Sequence, residues 1–304
     1  MSNISESDIT LRPVDVFYGL RQKTSIVLVD DVTGSLNNTY FVGVNTDIDG
    51  TTTTYYVWYN INSAGSDPAI SGATGVEVAG ATNATAETLA TATVAAIDAS
   101  ALRLSAVVDT ASADKIYIEN GAMGAVTATA DTGSTGFTFA ADVTGEKFEF
   151  GATADCSMSP EFSFVDVTAS QLGATLLDQI QNGNNVTVTV PAKEVTATMF
   201  QETLGSVAGD TRTVGSDVIV GIGESQRFQN MKSRSKELML RPANETNLVN
   251  TWTFWKAKPS FTDLNFSGEE LQTAGFEFSM YRDSNRPTTV SLAAFGKSDK
   301  KMLA

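Results

Sequence analysis

Val186, Val188 and Val190 alternate with Thr187 and Thr189, and Phe276 and Phe278 alternate with Glu277 and Ser279. A period of two is the side-chain repeat of an extended strand, so each run has one apolar face to bury and one polar face to leave wet. "EFSFVDV", "NVTVTVPAKEV", "SDVIVGI", "KELMLRP", "TWTFWKA", "AGFEFSMYRD" and "TTVSLAAFG" all read as strands, with turn residues between them. A chain with this many half-apolar strands has few solutions: it pairs them antiparallel and stacks their apolar faces. The expected class is mainly β, an antiparallel sandwich or barrel.

Residues 24 to 146 break from this texture. They hold fourteen Asp and Glu against Arg103 and Lys115 alone, a net -12 out of the chain's -15. "TTTTYYVWYNI" reads as a strand on its aromatic and β-branched residues, "SAGSDPAISGATG" as a loop, and "VEVA" as a short strand. "NATAETLATATVAAIDAS" predicts a helix, with Asn83 or Thr85 as N-cap, Glu87 in the first turn, and Leu89, Ala92, Ala96 and Ile97 at helical spacing. "LRLSAVVD" and "DKIYIEN" supply two more strands. The 304 residues are therefore expected to form two domains: residues 1–26 and 146–304 as the β domain, with 27–145 inserted as a small α+β domain.

What the chain lacks excludes much chemistry. It has no histidine, which removes Ser-His-Asp and Cys-His nucleophiles, His-based zinc sites and the commonest general base near neutrality. One cysteine, Cys156, closes no internal disulfide, in keeping with a reducing compartment; with no basic neighbour in sequence it reads as a packed apolar side chain. No run reaches the roughly 18 apolar residues of a membrane helix, and "MSNISESDIT" lacks the basic and apolar regions of a signal peptide. Synthesis in a cytoplasm, no membrane partner, no cofactor and no metal are expected.

Three apparent motifs have plainer readings. "VIVGIGES" offers Gly221 and Gly223 after a strand but no third glycine in register, which makes it a turn or bulge rather than a dinucleotide site. "TDIDGT" offers Asp47 and Asp49, but Trp58 stands where an EF-hand needs its Glu, so these read as loop acids. "SQRFQNMKSRSKELMLRP" places Arg227, Lys232, Arg234 and Lys236 near Phe228. Nucleic-acid binding is one reading; a connecting loop or a contact facing acids on a neighbouring copy is the preferred one.

"SQLGATLLDQIQNGNNVTVTV" predicts a helix capped by Thr168 or Ser170, with Leu172, Leu176 and Ile180 along one side and Gly183 as its end. The alternating "VTVTV" then enters the sheet. Asp178 is expected on that helix, aimed at the polar rim where a neighbouring subunit could pair with it.

The longer run "EFSFVDVTASQLGATLLDQIQNGNNVTVTVPAKEVTATMFQETLG" resembles the central segment of phage tail tube proteins. Asp178, Gly183, Pro191 and a second short helix around Thr198 to Leu204 stand at the matching places. "KELMLRPANETNLVNTWTFWKAKPSFTDLNFSGEELQTAGFEFSMYRDSNRPTTVSLAAFG" is similar to the family's C-terminal part: a strand ending "LRP", an aromatic strand, a Pro turn, a bulged acidic hairpin and a strand ending "YRD". The resemblance covers about 145 to 296, with "DITLRPVDVFYG" as a first strand. Residues 24 to 146 have no counterpart in the simple tube fold and look like an accessory module recurrent in phage structural proteins.

The resemblance implies a structural virion protein, made in a host bacterial cytoplasm and resident in the virion tail. Such subunits form homo-hexameric rings that stack into a tube, meet sheath or terminator and baseplate proteins, and pass double-stranded DNA transiently through the lumen. The inserted module would then decorate the tube exterior. Asp178, Arg227, Lys232, Arg234 and Lys236 are the assembly-interface candidates. Two other classes stay open: another virion component (tail terminator, baseplate or neck ring, head decoration), and a glycoside hydrolase working with carboxylates alone.

Overall fold

The computed structural model describes residues 13–153, 155–169, 175–194, 196–204, 211–214, 217–220, 231–243, 250–265, 273–286 and 292–296. The protein is mainly β. In chain order come β1 (Val14–Val27), β2 (Tyr40–Thr46), β3 (Thr52–Ile61), β4 (Ala73–Gly80), α1 (Ala86–Ala99), β5 (Ser105–Val108) and β6 (Lys115–Met123). There follow β7 (Ala130–Gly133), β8 (Thr138–Val143), β9 (Glu146–Glu149), β10 (Ser157–Ala169), β11 (Thr175–Ala192) and α2 (Ala197–Leu204). The last are β12 (Thr211–Val214), β13 (Asp217–Val220), β14 (Lys236–Pro242), β15 (Trp252–Asn265), β16 (Thr273–Met280) and β17 (Ala293–Phe295).

The chain divides into two compact units. One is Met1–Phe17, Phe148–Glu245 and Phe254–Arg282; the other is Tyr18–Lys147, Thr246–Thr253 and Asp283–Ala304. The acidic segment thus shares its unit with the second half of β1 and with two C-terminal pieces.

In the Tyr18–Lys147 unit, β6 runs antiparallel between β1 and β5, and β8 pairs β1 as well. A second sheet has the order β4-β3-β2-β7, with β3 and β4 parallel. Ile26, Ile116 and Ile118 of the first sheet share one buried cluster with Phe41, Tyr55, Val57, Tyr59 and Val78 of the second and Leu89 and Ile97 of α1. The two sheets therefore face each other across a common core, the β-sandwich solution to half-apolar strands.

Local chemistry sets α1. Thr85 is extended at the N-cap and its hydroxyl accepts from the Thr88 amide, while Asp30 Oδ1 accepts from the Ala86 amide at 2.7 Å. Both satisfy amides that a helix start leaves without partners. Leu89, Ala90, Thr93 and Ile97 are buried, and Ala92 and Ala96 half-buried against the same core. Thr93 donates its one hydroxyl proton to the Leu89 carbonyl at 2.7 Å, so the Tyr59 phenol 2.9 Å away is the donor to Thr93.

Three glycines make room for tyrosines across the second sheet. Gly43 stands opposite Tyr55, Gly75 opposite Tyr56 and Gly133 opposite Tyr40. A Cβ on Gly43 would lie 2.5 Å from Tyr55 Cζ, and one on Gly75 2.7 Å from Tyr56 Cζ. Each ring folds over the bare backbone opposite, replacing the packing that glycine cannot supply. The strand β4 accordingly begins at Ala73, inside the run expected as loop.

In the unit containing Phe148–Glu245, the sheet order is β10-β11-β16-β15-β14, ending on β1. Val190 pairs Phe276, which pairs Phe261, and Val188 pairs Phe278, which pairs Pro259, so two rows of apolar side chains cross three strands on one face. Phe150 lies 5.7 Å from Phe276 and from Phe278, edge to face, and Phe200 of α2 meets Phe261 edge to face at 5.4 Å. The short helix expected around Thr198 to Leu204 is present as α2 and covers this face.

Two expectations are overturned. The helix expected from Ser170 to Asn182 is not formed: Thr175–Ala192 is one strand, paired with β10 over Ser157–Ala169. The positions 176 and 180 are four apart, a spacing that fits one side of a helix and one face of a regular strand alike and so could not decide between them; the bulge between them then shifts the observed register. Leu172 lies outside the described residues. The Pro turn expected after "WTFWKA" is also absent, since Pro259 stands opposite Phe278 inside β15. A proline's fixed φ fits extended backbone; it removes only one donor.

Candidate assembly surface

The pairing of β11 is uneven. Only Thr187–Ala192 pairs with β16, whereas Thr175–Thr189 pairs with β10. Before Thr187 the two strands form a ribbon with no third strand among the described residues, and β10 is the last strand of its sheet. At about 3.3 Å per residue, Pro160–Ala169 reaches roughly 30 Å. Bulges between Ser163 and Phe164 and between Val167 and Thr168 break the register twice.

This ribbon carries exposed apolar side chains on both faces. Pro160 and Met158 stand opposite Val186 and Val188, and the same face continues outward to Phe162 and Phe164, which are 52% and 54% exposed. On the other face Val165 pairs directly with Ile180, and both are about half exposed. "EFSFVDV" held the signal: Phe162 and Phe164 occupy one strand face, Val165 and Val167 the other. A strand apolar on both faces has no wet side, and the reading as a half-buried strand passed over it.

The predicted interface residues divide. Asp178 is exposed on β11 opposite Val167, and its carboxylate accepts from the Gln179 amide at 2.8 Å; the Gln179 side chain reaches across to Asp166 at 2.8 Å. Lys232 is exposed on a short 3-10 helix, Met231–Arg234, which also holds the half-buried Arg234. Lys236, half-buried, opens β14. Arg234 Nη1 is buried with no hydrogen-bond partner among the described residues. Arg227, Phe228, Gly221 and Gly223 lie outside the described residues.

Other candidate groups are engaged structurally. Asp47 and Asp49 line a polar recess of about 140 Å³ with Asn45, Thr51, Thr53 and Arg103. Asp47 is paired with Arg103 at 2.9 Å, and Asp49 accepts from the Thr51 amide in the turn. Burial, with the Asp155 carboxylate beside it, pushes the Cys156 thiol up, which leaves it a weak nucleophile. Among the described residues no three His, Cys, Asp or Glu side chains are grouped to hold a metal ion. No helix of the described residues is long and apolar enough to cross a membrane.

No protein-family model matches the chain, and no curated protein matches its sequence.

Proposed function

We propose that this chain is a tail tube subunit of a phage virion, forming hexameric rings that stack into a conduit for double-stranded DNA. One observation carries the reading on the structural side: among the described residues a long ribbon ends its sheet with an unpaired edge strand, β10. Of its thirteen residues only Pro160 lacks an amide to donate. A strand edge of this length invites pairing with any other chain, and proteins tolerate it where a closed ring of identical subunits uses it. The ordered resemblance of residues 145 to 296 supplies the specific assembly, ring size and tail location. Without histidine, paired cysteines or a phosphate loop, the reading assigns the protein no catalytic activity. The acidic module of 27–145 belongs outside the tube, because a net -11 repeated around a bore would repel itself, while outside it is screened by solvent.

Sedimentation velocity over a concentration series, with negative-stain images of the same samples, tests this. Hollow tubes support it. Single closed rings that never stack point to a terminator, neck or baseplate component. A monomer at every concentration and salt defeats it.

A further inference from the structure

We propose that the polar recess beside the β2–β3 turn binds one neutral polyhydroxyl ring, a single pyranose of a glycan. The inference goes beyond self-assembly and does not depend on it.

The recess lies within one unit and is built by three segments: the end of β2, the turn into β3, and the stretch that links α1 to β5. Gly121 on β6 lets these segments close up, since a Cβ there would stand 2.6 Å from the Arg103 carbonyl oxygen and 3.1 Å from that of Thr46. The space is about 140 Å³. A cavity of roughly 150 Å³ is enough to take a six-membered ring.

Asn45 points to an occupant. It is 3% exposed and lines the recess. The Gly121 amide donates to its Oδ1 at 2.8 Å, and only the oxygen of a side-chain amide can accept there, so the orientation of the side chain is fixed. Nδ2, at the other end, has no partner among the described residues. A buried N–H without an acceptor gives up its hydrogen bonds to bulk water and regains none, so what fills the recess has to bring an oxygen.

The charges select the occupant. Asp47 is held on both oxygens, Oδ2 by Arg103 Nε at 2.9 Å and Oδ1 by the Ile48 amide at 2.7 Å, and Asp49 Oδ1 accepts from the Thr51 amide at 2.9 Å. A divalent cation such as calcium takes about six to eight oxygens and would meet the Arg103 guanidinium. An anion would meet two carboxylates. A hydroxyl both donates and accepts, so a ring that carries several suits a wall with acceptors at Asp47 and Asp49 and donors at Asn45 and Arg103. Of the five N–H donors of Arg103, Asp47 takes the one on Nε. Ala101 and Leu102, also in the wall, give the C–H face of a sugar ring an apolar surface to lie on. A contact this small binds weakly, at about millimolar concentration.

The test uses the full chain and the methyl glycosides of glucose, galactose, mannose and N-acetylglucosamine, read by saturation-transfer NMR, with thermal melting as the fold control. At least one glycoside should receive saturation. Asn45→Asp keeps the oxygen for Gly121 and turns the free donor into an acceptor, while Ala101→Trp fills the recess from an exposed position. Each should weaken binding about tenfold or more. If Asn45→Asp does not fold, Ala101→Trp decides alone. No transfer to any of the glycosides, or transfer that survives in either folded variant, overturns the assignment. Calcium binding that is lost in Asp47→Asn, or phosphate binding that is lost in Arg103→Gln, overturns it as well, by making an ion the occupant. The readout is the same for a monomer and for an assembly, so failure of the tube reading is a separate result.

Discussion

Glu119 on β6 and Arg286, 167 positions later, form a buried ion pair in which the guanidinium donates to the carboxylate. Asp283 lies on the other side of Arg286, 3.4 Å from Nε. The side chains of all three are almost wholly removed from water, at 12%, 5% and 9% exposure. The C-terminal piece Asp283–Ala304 is thereby tied to the unit that holds the acidic segment. Breaking a buried ion pair leaves charge without compensation, so Arg286→Met, which strands both carboxylates, should cost roughly 3 to 5 kcal/mol, Glu119→Leu, which leaves Arg286 with Asp283, should cost less, and the double variant should cost less than the sum of the two. Urea unfolding of the three variants measures this. Additive losses would show that the pair carries no coupling.

Asp31 should make the fold acid-sensitive. It is 3% exposed. Burial draws its carboxyl upward, but amide hydrogen bonds from Leu36, Asn83 and Gly34, with help from the Ser35 hydroxyl, outweigh this and hold it below the usual carboxylate range. A depressed folded value means its stabilisation is present above the unfolded value, near 3.9, and is lost as pH falls through the folded one. Asp31→Ala should cost about 1 to 3 kcal/mol at pH 7, from amides left unmatched, and flatten the acid side of the stability profile. An unchanged acid slope counts against this role.

Tyr55 and Tyr59 should resist ionisation. Burial pushes the Tyr55 phenol up to about 12, only partly offset by its hydrogen bond with Thr129, and it pushes Tyr59 up as well. The neutral phenols stabilise the fold fully below the unfolded value near 10, and this contribution fades as pH climbs through the folded values. In an alkaline titration followed at 295 nm, Tyr55 and Tyr59, of the seven tyrosines, should ionise late and together with unfolding. Early ionisation of all seven would contradict their burial.

Gly43→Val should destabilise by roughly 1 to 3 kcal/mol, because the Tyr55 ring already fills the space and is 1% exposed. Adding Tyr55→Val should recover part of the loss. If Gly43→Val melts with the wild type, the ring is free to move aside.

On the tube reading, replacing residues 27–145 with a short Gly-Ser linker should leave tubes of unchanged bore and smaller outer diameter. The replacement removes Glu119 but leaves Arg286 beside Asp283, so Arg286 is kept in this variant. Loss of polymerisation, or an unaltered outer diameter, would place the segment in the tube wall.

What the sequence determined alone is what neighbours along the chain decide. Thr85, Glu87 and the Leu89 to Ile97 spacing define α1 because capping and helical periodicity act within a turn or two. Val186, Val188 and Val190 define one buried strand face because alternation is a property of the strand itself. Tertiary structure decided the rest. Leu176 and Ile180 fit either geometry, and pairing with β10 makes them strand. Gly75 reads as loop until Tyr56 stands opposite and fills its place. Phe162 and Phe164 read as core until the sheet ends and leaves them in water. Nothing within reach of Glu119 along the chain announces Arg286, because charges pair by distance in space and only the completed fold brings positions 119 and 286 together.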